Sequence, residues 1–146
     1  MTSQPESGRV WAARVAMALV LASNLSAAIP FLINPERYAE AFELSGVAGA
    51  AMVRGLGILF VMWSAAYLPV IVHPDRHPAL FSVILAQQVL GLAGEIWILA
   101  TLPPGHSALI ASGLRFIAFD GVGLLLLVAA YGIGRRARDQ ESPGAR

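Results

Sequence analysis

The stretch ALFSVILAQQVLGLAGEIWILATL, residues 79–102, decides how this chain is read. It is apolar almost throughout, carries Gln87, Gln88 and Glu95, and is closed by Pro103, Pro104 and Gly105. As a helix rising ~1.5 Å per residue it reaches about 36 Å, enough for a hydrocarbon layer of ~30 Å. Polar and apolar residues do not alternate along it, so a strand does not suit it, and a membrane barrel would need at least about eight strands. Three more runs of the same character occupy residues 10–33, 47–72 and 107–133. The first is broken only by Arg14, Ser23, Asn24, Ser26 and Pro30; the second holds Arg54 and Pro69; the fourth holds Arg115 and Asp120. The first run is too long for the ~7–15-residue core of a signal peptide and lacks a small-x-small cleavage site, so it reads as a retained helix.

The connections complete the expected architecture. Residues 34–46, NPERYAEAFELSG, offer Asn34 as a helix cap, Pro35 in the first turn and Glu36 beside it. Tyr38, Ala41, Phe42 and Leu44 oppose Glu36, Glu40 and Glu43, which predicts a short interfacial helix ended by Gly46. HPDRHP at 73–78 carries two prolines and predicts a tight connection. Residues 1–9 read as a disordered lead and 134–146 as a polar, basic tail, leaving 10–133 as one four-helix domain. No solenoid-type repeat is visible. The expected fold is therefore all-α: an integral membrane four-helix bundle, up-down-up-down because its connections are short.

Composition agrees. The 146 residues are 57% hydrophobic and 13% charged, with a mean hydropathy of +0.67. A soluble domain runs at about 45–50% apolar and roughly 25% charged, so the composition argues against a water-soluble enzyme. A net charge of +1 lacks the basic face that nucleic acid demands. The absence of cysteine removes disulfides, thiolate metal sites, iron–sulfur clusters and cysteine nucleophiles. With four spans, the amino end, the 73–78 loop and the tail share one side, which carries Arg9, Arg14, Arg76, Arg135, Arg136, Arg138 and Arg146. The other side carries Arg37 with three glutamates, so both termini are expected in the cytoplasm, in a cell inner (plasma) membrane.

Four ionisable residues interrupt the apolar runs, and each costs about 2.5–3.5 kcal/mol at a helix centre when unpaired. Counting residues from the expected outer ends puts Arg54, Glu95 and Arg115 about 10–12 Å deep, with Asn24 in the same layer and Asp120 deeper. Their charges sum to zero. On helix 3, Gln88, Gly91 and Glu95 share one face, with Gln87 beside it. Arg115 and Asp120 lie about 140° apart around helix 4, so the expected pairs are Arg54 with Glu95, and Arg115 with Glu95 or Asp120. Arg54, Glu95, Arg115, Asp120, Gln88 and Asn24 thus form either a structural ion-pair network or an outer-half polar cavity that binds a ligand. No catalytic residue and no metal ligand is assigned. His73, His77 and His106 lie in loops, away from where a transmembrane haem would be held, and the prolines after His73 and His77 spoil a metal site with Asp75. Ser64, Ser82 and Ser112 have no histidine at matching depth, and Arg54-Gly55-Leu56-Gly57 lacks the strand–loop–helix setting of a phosphate loop.

NPERYAEAF after helix 1, VRGLGILFVMW in helix 2, a glutamine in helix 3 and the charged pair of helix 4 resemble the DoxX-like group and related four-helix bacterial membrane proteins. The resemblance covers roughly residues 12–133. That group tends to carry an arginine in helix 3 and an acid in helix 4, whereas this chain has Glu95 in helix 3 and both Arg115 and Asp120 in helix 4. The resemblance implies association with quinone-linked or redox membrane systems, often as an accessory subunit. An accessory or assembly subunit of a membrane complex is accordingly the leading expectation. The alternatives are a binder or quinone-linked enzyme using Arg54, Glu95 and Arg115, and a small oligomeric transporter. No cofactor is expected beyond a quinone or a lipid. The expected partners are the lipid bilayer, membrane proteins or further copies of the chain.

Overall fold

The computed structural model describes residues 4–74 and 76–141, with side chains described except at 4–7, 9 and 134–141. It is helical throughout, with no strand among the described residues. The elements are α1 (Gln4–Ile33), α2 (Pro35–Ala39), a 3-10 turn (Glu40–Phe42), α3 (Gly46–Ser64), α4 (Tyr67–Val72), α5 (Pro78–Thr101) and α6 (Ser107–Glu141). Four stretches are long and apolar enough to cross a membrane: Val10–Ile33, Gly46–Val72, Pro78–Thr101 and Ser107–Ile133.

Helix α1 begins at Gln4, inside the stretch expected to be a disordered lead. Pro5 lies in its first turn, where a missing N–H costs nothing. Helix α6 likewise runs on to Glu141, well into the expected tail; residues 1–3 and 142–146 lie outside the described residues. The second span is not continuous. Pro69 has no N–H for the Ala65 carbonyl and its ring crowds that oxygen, so the helix breaks at Ala65–Ala66 between α3 and α4. Pro30 leaves α1 unbroken, and its carbonyl accepts from Asn34 N at 2.9 Å.

The expected short helix is present but ends earlier. It tightens into the 3-10 turn and stops at Glu43, which adopts a left-handed conformation (φ 55°, ψ 30°). Gly46, expected to end it, instead opens α3 with φ +63°. Asn34 stands at the N-cap position without a side-chain capping bond.

Helix α1 packs on α3, α4 and α6; α5 packs on α6 and α4. The close approach of α1 and α3 depends on Gly57, where a Cβ would lie 3.0 Å from the Ala28 carbonyl oxygen. One core, with Met17, Tyr67, Val70, Ile84 and Leu127 fully buried, lies at the α4 end of the molecule. A second, around Phe31, Ala39 and Val53, lies at the α2 end. Between them Trp63 of α3 meets α5 at Gly91, but towards the α2 end α3 and α5 do not pack as the other helices do. The outer faces remain apolar: Leu90, Trp97 and Leu125 are each more than 70% exposed. A surface of this kind suits a lipid solvent rather than water.

Candidate functional site

The gap between α3 and α5 holds a cavity of about 300 Å³. Leu56 and Phe60 of α3, Glu95 and Leu99 of α5, Phe116 of α6 and Phe42 of the 3-10 turn line it. Its inner wall is an aromatic cluster. Phe31 lies 5.2 Å from Tyr38, 5.8 Å from Phe42, 6.3 Å from Phe60 and 6.5 Å from Phe116, between ring centroids. Phe116 in turn stacks on Phe42 at 6.1 Å. These separations are those at which aromatic pairs attract beyond simple burial.

The roof is tied to α6. Ser112 Oγ, buried, donates to the Ala41 carbonyl at 2.6 Å, and Arg115 Nη2 donates to Ser112 Oγ at 3.2 Å. Glu43 accepts from Leu109 N at 3.4 Å and pairs with His106 Nδ1. The bond from His106, aided by the backbone bond from Leu109, holds the Glu43 carboxyl below its ordinary value of 4.5. Its position at the start of α6 also suits a carboxylate near a helix N-terminus.

The residues expected to form one network are distributed differently. Arg54 is exposed; its Nε donates to the Leu32 carbonyl at 3.4 Å, and it lines a separate cavity with Glu36 and Glu40. Arg115 is exposed on a groove shared with Asn24 and Gln88. Among the described residues neither arginine reaches Glu95 or Asp120 within ion-pair distance. The two carboxyls instead lie beside each other. Gln88, 2% exposed, donates through Nε2 to the Asp120 carbonyl at 3.1 Å, and its amide also reaches the Asp120 carboxyl. The layer of arginines and acids expected in one cavity is therefore not formed: Arg54, Glu95 and Arg115 line three different cavities.

Side-chain direction is the reason. Every Cα–Cβ bond leans toward its helix N-terminus. Helices α3 and α6 both start at the α2 end, so Arg54 and Arg115 reach toward that end, to Leu32 and back to Ala111. Helix α5 starts at the opposite end, so Glu95 leans away from the α2 end and meets Asp120 leaning toward it.

Further polar atoms are buried in the spans, and those of Trp63 and Tyr67 were missed from the sequence. Trp63 Nε1, Ser64 Oγ, Tyr67 Oη, Gln87 Oε1 and Glu95 Oε2 are buried without a hydrogen bond of normal geometry. The Tyr67 hydroxyl lies beside the Asn24 side chain, and Asp120 Oδ2 is 3.5 Å from where a Cβ at Gly91 would be. Pro69 was the available signal for Ser64 and Tyr67, because the helix break that it causes falls between them. His73 and His77 flank the α4–α5 turn, and Asp75 lies outside the described residues.

Compared with known proteins, the chain matches no family model, no curated protein and no solved structure.

Proposed function

We propose that this small multi-pass membrane protein binds a lipid-soluble molecule carrying one hydrogen-bonding group in the Glu95 cavity. In this reading the spans run up-down-up-down through the inner membrane, both termini are cytoplasmic, and the cavity lies in the outer half. The likeness to DoxX-like proteins belongs to the same proposal. The observation that carries it is Glu95, which lines a largely apolar cavity and whose Oε2 is buried without a hydrogen-bond partner. Leaving such an atom unsatisfied costs about 1–3 kcal/mol, which a ligand's polar group would recover. A carboxyl in its protonated form can donate a hydrogen bond as well as accept one. A prenylated quinone fits this chemistry. Phe60 and Phe116 would face the ring, Glu95 would hydrogen-bond a ring carbonyl, and the prenyl chain would leave through the gap between α3 and α5. Bound there, a quinone would supply reversible two-electron chemistry; the chain's own part is to hold the ring and orient one carbonyl.

The test is native mass spectrometry of protein extracted from its own membrane in mild detergent. A defined adduct is expected in the wild type and in Arg54→Ala. It is expected to be lost in Glu95→Leu and in the cavity-filling Leu99→Trp. An adduct insensitive to both of these variants would overturn the reading.

A second reading, an accessory or assembly subunit, draws on Gly94. A Cβ there would meet nothing within 4 Å, and Leu90, Trp97 and Ile98 around it are exposed. A glycine costs a helix about 0.5–1 kcal/mol relative to alanine, and a neighbouring membrane helix packing closely on it would give it a use. This reading predicts a stoichiometric protein partner after mild solubilisation; a stable lone monomer would count against it.

A further inference from the structure

A groove of about 500 Å³ runs between α1 and α6, on a different face of α6 from the Glu95 cavity. Arg115 stands at its α2 end; Ser23 and Asn24 of α1 lie along it, and Val20 and Leu126 line it further from that end. From Arg115 to Leu126 it extends about 16 Å along the helix axis. Its floor opens where Gly123 has no side chain, and Gln88 reaches through from α5 to within 3.0 Å of the missing Cβ position. The charge pattern is one-sided: a cation, three neutral hydrogen-bonding residues, and apolar walls with no carboxylate. Arg54 differs, because its cavity also carries Glu36 and Glu40.

We infer that this groove binds an anionic glycerophospholipid, its phosphate on the Arg115 guanidinium and one acyl chain along Val20 and Leu126. The guanidinium makes bonds to Ala111 O and Ser112 Oγ inside its own helix, which point it toward the α2 end. A guanidinium has five N–H donors, and those left over have no protein acceptor among the described residues. They match the planar, paired oxygens of a phosphate. Ser23 and Asn24 lie where the glycerol esters would pass and can hydrogen-bond them. The apolar walls then exclude a small free anion, which would leave them bare. This site is separate from the Glu95 cavity and does not depend on the function proposed for it.

The test is lipid competition read by native mass spectrometry. Purified protein is offered equal amounts of phosphatidylglycerol and phosphatidylcholine with identical acyl chains. The wild type is expected to retain one phosphatidylglycerol per chain, with a preference of about fivefold to tenfold. Arg115→Gln should lose that preference, and Ala118→Trp, which fills the groove and leaves the charge, should lose the adduct itself. Arg54→Gln should keep both. A phosphatidylglycerol bearing a diazirine on its acyl chain, used on the wild type alone, should label Val20, Ala118 and Val122. Equal retention of the two lipids by the wild type, an unchanged preference in a folded Arg115→Gln, or even labelling over the exposed face of α5 would each overturn the inference.

Discussion

If side-chain direction rather than depth decides the pairing inside the helices, two double-mutant cycles must give opposite answers. The first pairs Gln88→Leu with Asp120→Asn. Gln88 is 2% exposed, and its amide serves both the carbonyl and the carboxyl of Asp120. Leucine nearly matches its volume, so the substitution removes the bonds while keeping the packing. Hydrogen bonds between helices in a bilayer average ~0.6 kcal/mol and reach about 1.7 kcal/mol. The coupling should fall in that range, since Asn retains part of the contact and the carbonyl bond is untouched. The second cycle pairs Arg54→Gln with Glu95→Gln. Arg54 reaches the Leu32 carbonyl and Glu95 reaches Asp120, so their coupling should lie within the ~0.3–0.5 kcal/mol scatter of independent sites. The assay is unfolding in mixed micelles, followed by helical circular dichroism. A coupling above about 1 kcal/mol for Arg54 with Glu95, together with none for Gln88 with Asp120, would refute the argument.

Three further outcomes follow from the packing. A Cβ at Gly57 would stand 3.0 Å from the Ala28 carbonyl oxygen and 3.1 Å from Phe31 Cβ, so Gly57→Val should destabilise by about 1–3 kcal/mol. Gly55→Ala, with nothing within 4 Å of its Cβ, should be neutral or stabilising by about 0.5–1 kcal/mol in the same unfolding assay. Ser112→Ala leaves the Ala41 carbonyl without its side-chain donor and should cost about 1 kcal/mol, read as the same midpoint shift. Because His106 and the Leu109 amide hold the Glu43 carboxyl below 4.5, the clasp contributes fully above that value and is lost as pH falls through the lowered one. The stability difference between the wild type and Glu43→Gln should therefore shrink as the pH falls, in unfolding midpoints measured from about pH 6 down to about pH 3.

The spans were legible because apolar runs bounded by proline and glycine leave little choice of structure. Four apolar helical stretches long enough to cross a membrane lie where those runs predict, although α1 starts earlier, α6 continues further and the second span breaks between α3 and α4. The short helix after Ile33 was legible from Pro35 and the carboxylates facing one way, though not its early stop, which depends on contacts of Glu43 with α6. Residue type pointed to Glu95, Asp120, Arg54 and Arg115 as unusual; their partners were misjudged because depth was counted at Cα. An arginine side chain reaches about a helical turn, and it reaches toward opposite ends on helices of opposite sense. The aromatic cluster was hidden for another reason: Phe31, Phe42, Phe60 and Phe116 come from four separate elements, and nothing local ties them together. The Glu43–His106 contact spans 63 positions and is likewise a product of the packed chain. Pro69 stood in plain view, and a helix break four residues earlier follows from its ring alone.

The most direct test of the central claim is photoaffinity labelling with a diazirine-bearing prenylated benzoquinone, mapped by peptide mass spectrometry. The Glu95 cavity predicts labels on Phe60, Leu99 and Phe116, reduced by unlabelled quinone in excess and lost in Glu95→Leu. Labels confined to the exposed residues Leu90, Trp97 and Leu125, unaffected by competitor or by the substitution, would contradict it.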